Sequence, residues 1–211
     1  KAAEMDERFE HEVAYAFSSD FGFLTACPTN VGTGMRASVL VHLPALVVTR
    51  EIEKVLRGVL HIGLAVRGLY GEGTETKGSL FQISNQRTLG LSEFEVLESV
   101  TGICQQVIDY ERKAREYLMR NLRVEVEDKV YRAMGLLKGA RILTSEEATN
   151  LLALVRFGVV LGLINEVTLA EVGRLMLLVR PANLQAVLGE NLMPAERDER
   201  RATLLRQRLV R

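Results

Sequence analysis

The sequence predicts an α+β protein: a partial antiparallel sheet flanked by helices, followed by an all-helical C-terminal domain. Two observations point there. Short apolar runs bounded by Gly-rich turns all fall before Asn85, whereas from Val124 onward no strand pattern appears and apolar residues recur at helical spacing between capping signals. At 211 residues and 47% apolar content, the chain has enough material for a real core in one large or two small domains.

The elements follow in order. Residues 3–17 carry an amphipathic helical pattern that stops near Ser18-Ser19-Asp20. Strands are expected over 21–26 and 37–43, the second alternating through Val39, Val41 and Leu43. Pro44 suits the first position of a helix reaching about residue 60. A strand over 64–69, a polar Gly-rich loop over 70–78, a strand over 80–84 and a turn over 85–90 come next. Ser92 and Glu95 form a capping box that opens a long helix to about residue 121. Helices are then expected over 125–138, 145–163, 168–179, 181–188 and 195–209, with further boxes at Thr144/Glu147 and Thr168/Glu171. The boundary between the halves falls at 122/123, giving domains 1–122 and 123–211.

Bulk chemistry excludes several classes. Lys plus Arg and Asp plus Glu each number 27, so the chain is formally neutral and a poor generic nucleic-acid binder. Cys27 and Cys104 match no metal spacing and no disulfide framework, which fits reduced thiols and a cytoplasmic home. No signal peptide is evident, and the longest apolar stretch, 151–164, is interrupted by Arg156 and too short to span a bilayer. The chain opens on Lys1 with a helical pattern already running, so a piece of something longer is expected.

The run Cys27-Pro28-Thr29-Asn30-Val31-Gly32-Thr33-Gly34-Met35-Arg36-Ala37-Ser38 is the most informative stretch. Small residues between two strands bring backbone N–H groups and a fixed cation toward an anion. No Gly-Lys-[Ser/Thr] follows, so it is not a P-loop. A second run, Arg67-Gly68-Leu69-Tyr70-Gly71-Glu72-Gly73-Thr74-Glu75, follows about 31 residues after Arg36 and continues to Phe81-Gln82-Ile83-Ser84-Asn85. Taken singly, each arginine reads as a solvated charge and Glu72 as a loop carboxylate in water. Cys27 reads either as a small hydrophobe or as a thiolate stabilised in a turn next to an arginine.

Together and in this order, the two runs resemble the signatures of the ATP:guanido phosphotransferases, the family of creatine and arginine kinases and of bacterial protein-arginine kinase. The resemblance implies a glutamine-synthetase/guanido-kinase-like catalytic domain, Mg2+ with ATP, and phosphoryl transfer to a guanidinium. It implies that Arg36 and Arg67 clamp the ATP phosphates, since arginine stays charged and binds phosphate bidentately. Glu72 would engage the acceptor guanidinium, and Cys27 would position it without forming a covalent intermediate. No protein metal ligands are assigned, and Cys104 is expected in the core.

The match also has departures. The metabolic kinases carry a histidine four residues after the motif arginine, where this chain has Leu40, with His42 two residues on. The family's Asn-Glu-Glu-Asp segment, further phosphate-binding arginines and a small N-terminal helical domain are not found in these residues. About half of such an active site is therefore expected here, and catalysis by these residues alone is not.

About 90 residues after the long helix distinguish the branches. Glu127-Asp128-Lys129-Val130-Tyr131-Arg132-Ala133 and Ala140-Arg141-Ile142-Leu143-Thr144-Ser145-Glu146-Glu147 are similar to the protein-arginine kinase (McsB-type) branch. Arg197-Asp198-Glu199-Arg200-Arg201-Ala202 resembles that branch's phosphoarginine-binding element, implying that Arg197, Asp198 and Arg201 read phosphoarginine. By composition alone the same run is a solvated amphipathic helix; a basic nucleic-acid arm is disfavoured by the acidic residues within it. The implied partners are proteins with exposed arginines, including a CtsR-type repressor, the ClpC–ClpP protease, an McsA-type activator, and a second copy of the chain, with no membrane or direct nucleic-acid role. The alternatives are a metabolic phosphagen kinase acting on a free guanidine and a non-catalytic phosphoarginine-binding, dimerising module.

Overall fold

The computed structural model describes residues 2–68 and 78–209. It is predominantly helical with small antiparallel sheets, the α+β class the sequence predicts. The described residues group into two compact units: residues 1–41, 54–66 and 82–107 form one, and residues 42–53, 67–81 and 108–211 the other. Segments 42–53 and 67–81 therefore belong with the helical part, although they precede residue 122.

The first unit opens with α1 (Ala2–Glu12), shorter than the 3–17 expected. The chain leaves the helix to form a two-residue strand, β1 (Phe17–Ser18), which pairs antiparallel with β2 (Gly22–Phe23). Aromatic packing selects this over a longer helix: Tyr15 and Phe17 each meet the Phe23 ring edge-on, at 5.7 and 5.4 Å between centroids. A 3-10 turn (Pro28–Asn30) follows, and then β3 (Ser38–His42).

The helix expected from Pro44 breaks in two, α2 (Pro44–Val48) and α3 (Ile52–His61). Between them Arg50 sits at φ 61°, and the N–H of Glu51 reaches back to the carbonyl of Leu46 at 3.0 Å. That is a left-handed helix stop made without glycine. β4 (Leu64–Gly68) and β5 (Leu80–Asn85) complete a three-stranded sheet of order β3-β5-β4. The long helix α4 (Glu93–Asn121) starts at the expected box: the Ser92 N–H donates to Glu95 at 2.7 Å and the Glu95 N–H to the Ser92 hydroxyl at 3.2 Å.

The second unit is built on α5 (Arg123–Gly139), α6 (Ser145–Val160), α7 (Leu169–Leu178), α8 (Pro181–Leu188) and α9 (Pro194–Leu209). One apolar core runs through Val130, Leu137, Leu152, Phe157, Val172 and Leu205. α6 ends at Val160, three residues earlier than expected, because the N–H groups of Leu163 and Ile164 turn back to the carbonyl of Gly158. The following turn is held to α5 by the Tyr131 hydroxyl, which donates to the Leu163 carbonyl at 2.7 Å, and by Lys138–Glu166 at 2.6 Å. At Gly158 α6 lies close against α5: a Cβ there would lie 2.4 Å from Cγ1 of Val130. Thr168/Glu171 forms a full capping box, whereas at α6 the Thr144 hydroxyl accepts from the Glu147 N–H.

Candidate functional site

The turn between β2 and β3 is fixed by its own small residues. The N–H of Phe23 donates to the Gly32 carbonyl at 2.8 Å, and the Gly32 N–H returns to Phe23 at 3.2 Å. Gly32 lies at φ 117°, and a Cβ there would fall 2.2 Å from the Thr88 carbonyl oxygen, so only glycine fits. From the segment that follows β5, the Thr88 hydroxyl bonds the carbonyls of Val31 at 2.8 Å and Thr29 at 3.1 Å, while Thr33 N–H donates to the Thr88 carbonyl at 3.0 Å.

Asn85 is the second clamp. Its side-chain oxygen accepts from Ala37 N–H at 2.8 Å, and its amide nitrogen donates to the carbonyls of Met35 at 3.1 Å and Arg87 at 3.0 Å. It thus brackets Arg36, whose guanidinium is exposed and donates to the Ser84 hydroxyl at 3.3 Å. In the sequence Asn85 closes the second motif and carries no assigned role. The only signal was an asparagine closing a strand at a turn, a common position for a residue that bonds backbone.

Cys27 is exposed at the mouth of the same turn. Its thiol lies 3.0 Å from the Thr29 hydroxyl, while the Thr25 hydroxyl donates to the Cys27 carbonyl at 2.6 Å. Hydrogen bonds to the sulfur from the hydroxyl and then the N–H of Thr29 hold the thiol below its usual range, favouring thiolate. The cause is Thr29, where the sequence pointed to a neighbouring arginine. Cys104 is buried, as expected, and burial pushes its thiol up.

Cys27 and Arg36 therefore share the first unit. Arg67 is exposed near the end of β4 and belongs to the second. Glu72 lies outside the described residues. Leu40, at the position of the metabolic kinases' histidine, is exposed, whereas His42 is half-buried with its Nε2 shielded from solvent.

On α9 the three tail residues are brought together but play different parts. Arg201 is 1% exposed. Its Nε donates to the Val179 carbonyl at 2.7 Å, and its Nη1 to the Leu143 carbonyl at 2.7 Å and to Asp198 Oδ1 at 2.5 Å. The Leu143 N–H returns a bond to the Asp198 carbonyl at 3.2 Å. Arg201 thus ties α9 to the residue before the N-cap of α6 and to the end of α7, and aims Asp198. Arg197 and Asp198 are half-buried and retain surface.

Residues 1–114 match the model of the ATP:guanido phosphotransferase C-terminal catalytic domain. The chain belongs to that family. Residues 123–211 match the protein-arginine kinase McsB C-terminal domain. Among curated relatives, the protein-arginine kinase of Bacillus cytotoxicus is 48% identical over 208 residues, covering 99% of this chain and 58% of the relative. That of a Geobacillus species is 49% identical over 208 residues with the same coverage. The chain thus spans 58% of the length of these relatives. A solved structure of the duplicated taurocyamine kinase of Schistosoma mansoni is 33% identical, covers 53% of this chain and 15% of that one, and has a TM-score of 0.45. Among the described residues no helix is long and apolar enough to cross a membrane.

Proposed function

We propose that this chain is the C-terminal part of a protein-arginine kinase, which transfers the γ-phosphoryl group of ATP to arginine side chains of proteins. The observation that carries the reading is identity of 48% across 99% of the chain, through both family matches, to curated protein-arginine kinases.

In the whole enzyme a guanidino nitrogen attacks the γ-phosphorus, the bond to the β–γ bridging oxygen breaks, and ADP leaves. A guanidinium holds its protons up to a pKa above ~12, so a carboxylate must orient it and take a proton as the bond forms. Glu72 is assigned that role, with Cys27 thiolate beside the acceptor. Arg36, held by the Asn85 clamp, and Arg67 bind the phosphates. Mg2+ arrives on the nucleotide, since magnesium is characteristically held by one or two carboxylates plus substrate phosphates.

On α9, Arg197 and Asp198 contact phosphoarginine, the arginine facing the phosphoryl oxygens and the aspartate the guanidino nitrogens. Arg201 serves by holding Asp198 in place. The same reading extends to a cytoplasmic homodimer in the stress response, marking proteins such as a CtsR-type repressor for ClpC–ClpP with an McsA-type activator. The apolar residues exposed on α7 and α8, Leu177 and Val187, agree with self-association. A metabolic phosphagen kinase is disfavoured by the match of residues 123–211.

Two experiments test the proposal. Glu72→Gln in the full-length enzyme is expected to abolish transfer to casein arginines while nucleotide binding persists; unchanged turnover removes Glu72 from the chemistry. Calorimetric titration of the 211-residue chain with phosphoarginine is expected to show saturable binding that Arg197→Ala/Asp198→Ala removes. These 211 residues alone are expected to bind without turning over, as a phosphoarginine-reading module, and ATP-dependent arginine phosphorylation by them would refute that.

A further inference from the structure

The run that opens at Arg67 rejoins the sheet through Gly78 and Ser79, immediately ahead of β5. Both residues of this corner are left-handed, Gly78 at φ 74° and Ser79 at φ 54°. Glycine adopts such a φ freely, but serine keeps it only where its surroundings over-determine the backbone. Two hydrogen bonds from elsewhere in the second unit do this. The N–H of Leu43, the residue before α2, donates to the Ser79 carbonyl at 2.9 Å. The N–H of Gly78 donates to Oδ1 of Asn150, on α6, at 2.8 Å.

Asparagine is a poor helix former because its side chain competes for backbone groups. In α6 that side chain bonds the backbone of a segment 72 residues away. Its neighbour Thr149 is 7% exposed and donates its hydroxyl to the Ser145 carbonyl at 2.7 Å, within the same helix. The Thr149 methyl is then turned to the corner. A Cβ on Gly78 would lie 3.1 Å from Thr149 Cγ2, 3.4 Å from the Thr149 carbonyl oxygen and 3.5 Å from Ala153 Cβ. Gly78 is buried, so its backbone rests directly on α6, and a buried N–H that loses its partner is costly.

The contact joins the two family matches. Gly78 lies within residues 1–114, the catalytic-domain match, and Asn150 within residues 123–211, the C-terminal-domain match. Glu72 precedes Gly78 by six residues, so Asn150 holds the near end of the chain segment that carries it. On the protein-arginine-kinase reading, on which this rests, Glu72 engages the acceptor guanidinium. A misplacement of about 1 Å at such a group costs turnover, up to about a hundredfold, without touching the nucleotide.

We propose that Asn150 is a positioning residue for arginine phosphorylation: through the Gly78 N–H it fixes the end of the segment carrying Glu72. The helical C-terminal domain thereby sets the acceptor geometry of the catalytic domain.

The test uses the full-length enzyme with Asn150→Leu, which removes the hydrogen-bond acceptor, and Asn150→Asp, which keeps a side-chain oxygen in its place. Leucine is the better helix former, so a loss in that variant is not a helix defect. Hydrogen exchange at the Gly78 amide, read by fragmentation mass spectrometry, should quicken about fivefold or more in Asn150→Leu and stay near the unsubstituted rate in Asn150→Asp. The kcat for casein arginines should fall about tenfold or more in Asn150→Leu with KM for ATP unchanged, and Asn150→Asp should recover most of it. Unchanged exchange at Gly78 in Asn150→Leu overturns the anchor. Faster exchange with kcat unchanged overturns the positioning role. A fall in kcat joined by a higher KM for ATP and left uncorrected by Asn150→Asp overturns it too, because general damage to the fold has that signature. Absence of transfer by the unsubstituted enzyme counts against the protein-arginine-kinase reading, and exchange at Gly78 still decides whether Asn150 anchors the corner.

Discussion

Removing the guanidinium of Arg201 should cost far more in stability than removing that of Arg197, although the two lie one helical turn apart in the same motif. Arg201 donates to the carbonyls of Val179 and Leu143 and to Asp198, and is 1% exposed. A hydrogen bond from a charged donor contributes about 1.5–3 kcal/mol, and each buried carbonyl left unpaired costs about 1–3 kcal/mol. These terms overlap, and breaking a buried charged pair by removing one partner measures about 3–5 kcal/mol. Arg201→Ala is therefore expected to destabilise by about 4 kcal/mol. Arg197, which is half-buried and outside this network, should cost about 0.5 kcal/mol, as surface changes do.

Urea unfolding of the 211-residue chain and both variants, fitted with a common slope, reads the difference. Phosphoarginine titration under native conditions completes it. Arg197→Ala should lose binding with stability intact, and Arg201→Ala should lose both. A loss below about 1 kcal/mol for Arg201→Ala would refute the anchoring role and return Arg201 to direct ligand contact.

Three other perturbations follow from particular contacts. Gly158→Ala places a Cβ 2.4 Å from Val130 and 3.0 Å from Ile164, an overpacking cost of about 1–3 kcal/mol against a helix-propensity gain of about 1 kcal/mol. A melting temperature lowered by a few degrees is expected, and a rise would mean the α5–α6 crossing relaxes freely. His42 has its pKa lowered from 6.5 to about 3, by burial first and then Arg156 and Arg115. Because the unfolded chain takes up this proton and the folded chain does not, its contribution is fully present above 6.5. It falls by about 1.4 kcal/mol per pH unit as pH drops toward 3. The stability difference between wild type and His42→Asn should shrink with that slope, and a pH-independent difference would contradict it. Thr29→Val removes the hydroxyl 3.0 Å from the Cys27 sulfur, so the pH midpoint of iodoacetamide labelling should move upward. An unchanged midpoint would assign the stabilised thiolate to another group.

Much of the architecture was legible because it rests on local chemistry. Capping boxes at Ser92/Glu95 and Thr168/Glu171, prolines at 44, 181 and 194, and helical periodicity after 124 all act within a few residues. The misses have equally physical causes. Arg50 stops α2 in a left-handed conformation usually given to glycine or asparagine, so composition offered no warning. The aromatic contacts of Tyr15, Phe17 and Phe23 took the end of an amphipathic pattern out of α1. The cut at 122 follows the end of the strand pattern and falls between the two family matches, while compactness alone groups the described residues of 42–53 and 67–81 with the helical unit.

The same division runs through the site. Residue types and their spacing point to the kind of chemistry proposed, because binding phosphate and a guanidinium would call for arginines, a carboxylate and a backbone free to turn at Gly32. Sequence alone could not say which of those residues remain available. The tertiary structure decided that Arg201 spends its donors inside the protein while Arg197 keeps surface, and that Asn85 brackets Arg36. It also left the Nε2 of His42 buried without a hydrogen-bond partner among the described residues. A side chain's charge is written in its formula, but its hydrogen-bond partners and its access to water depend on neighbours brought in from distant parts of the chain.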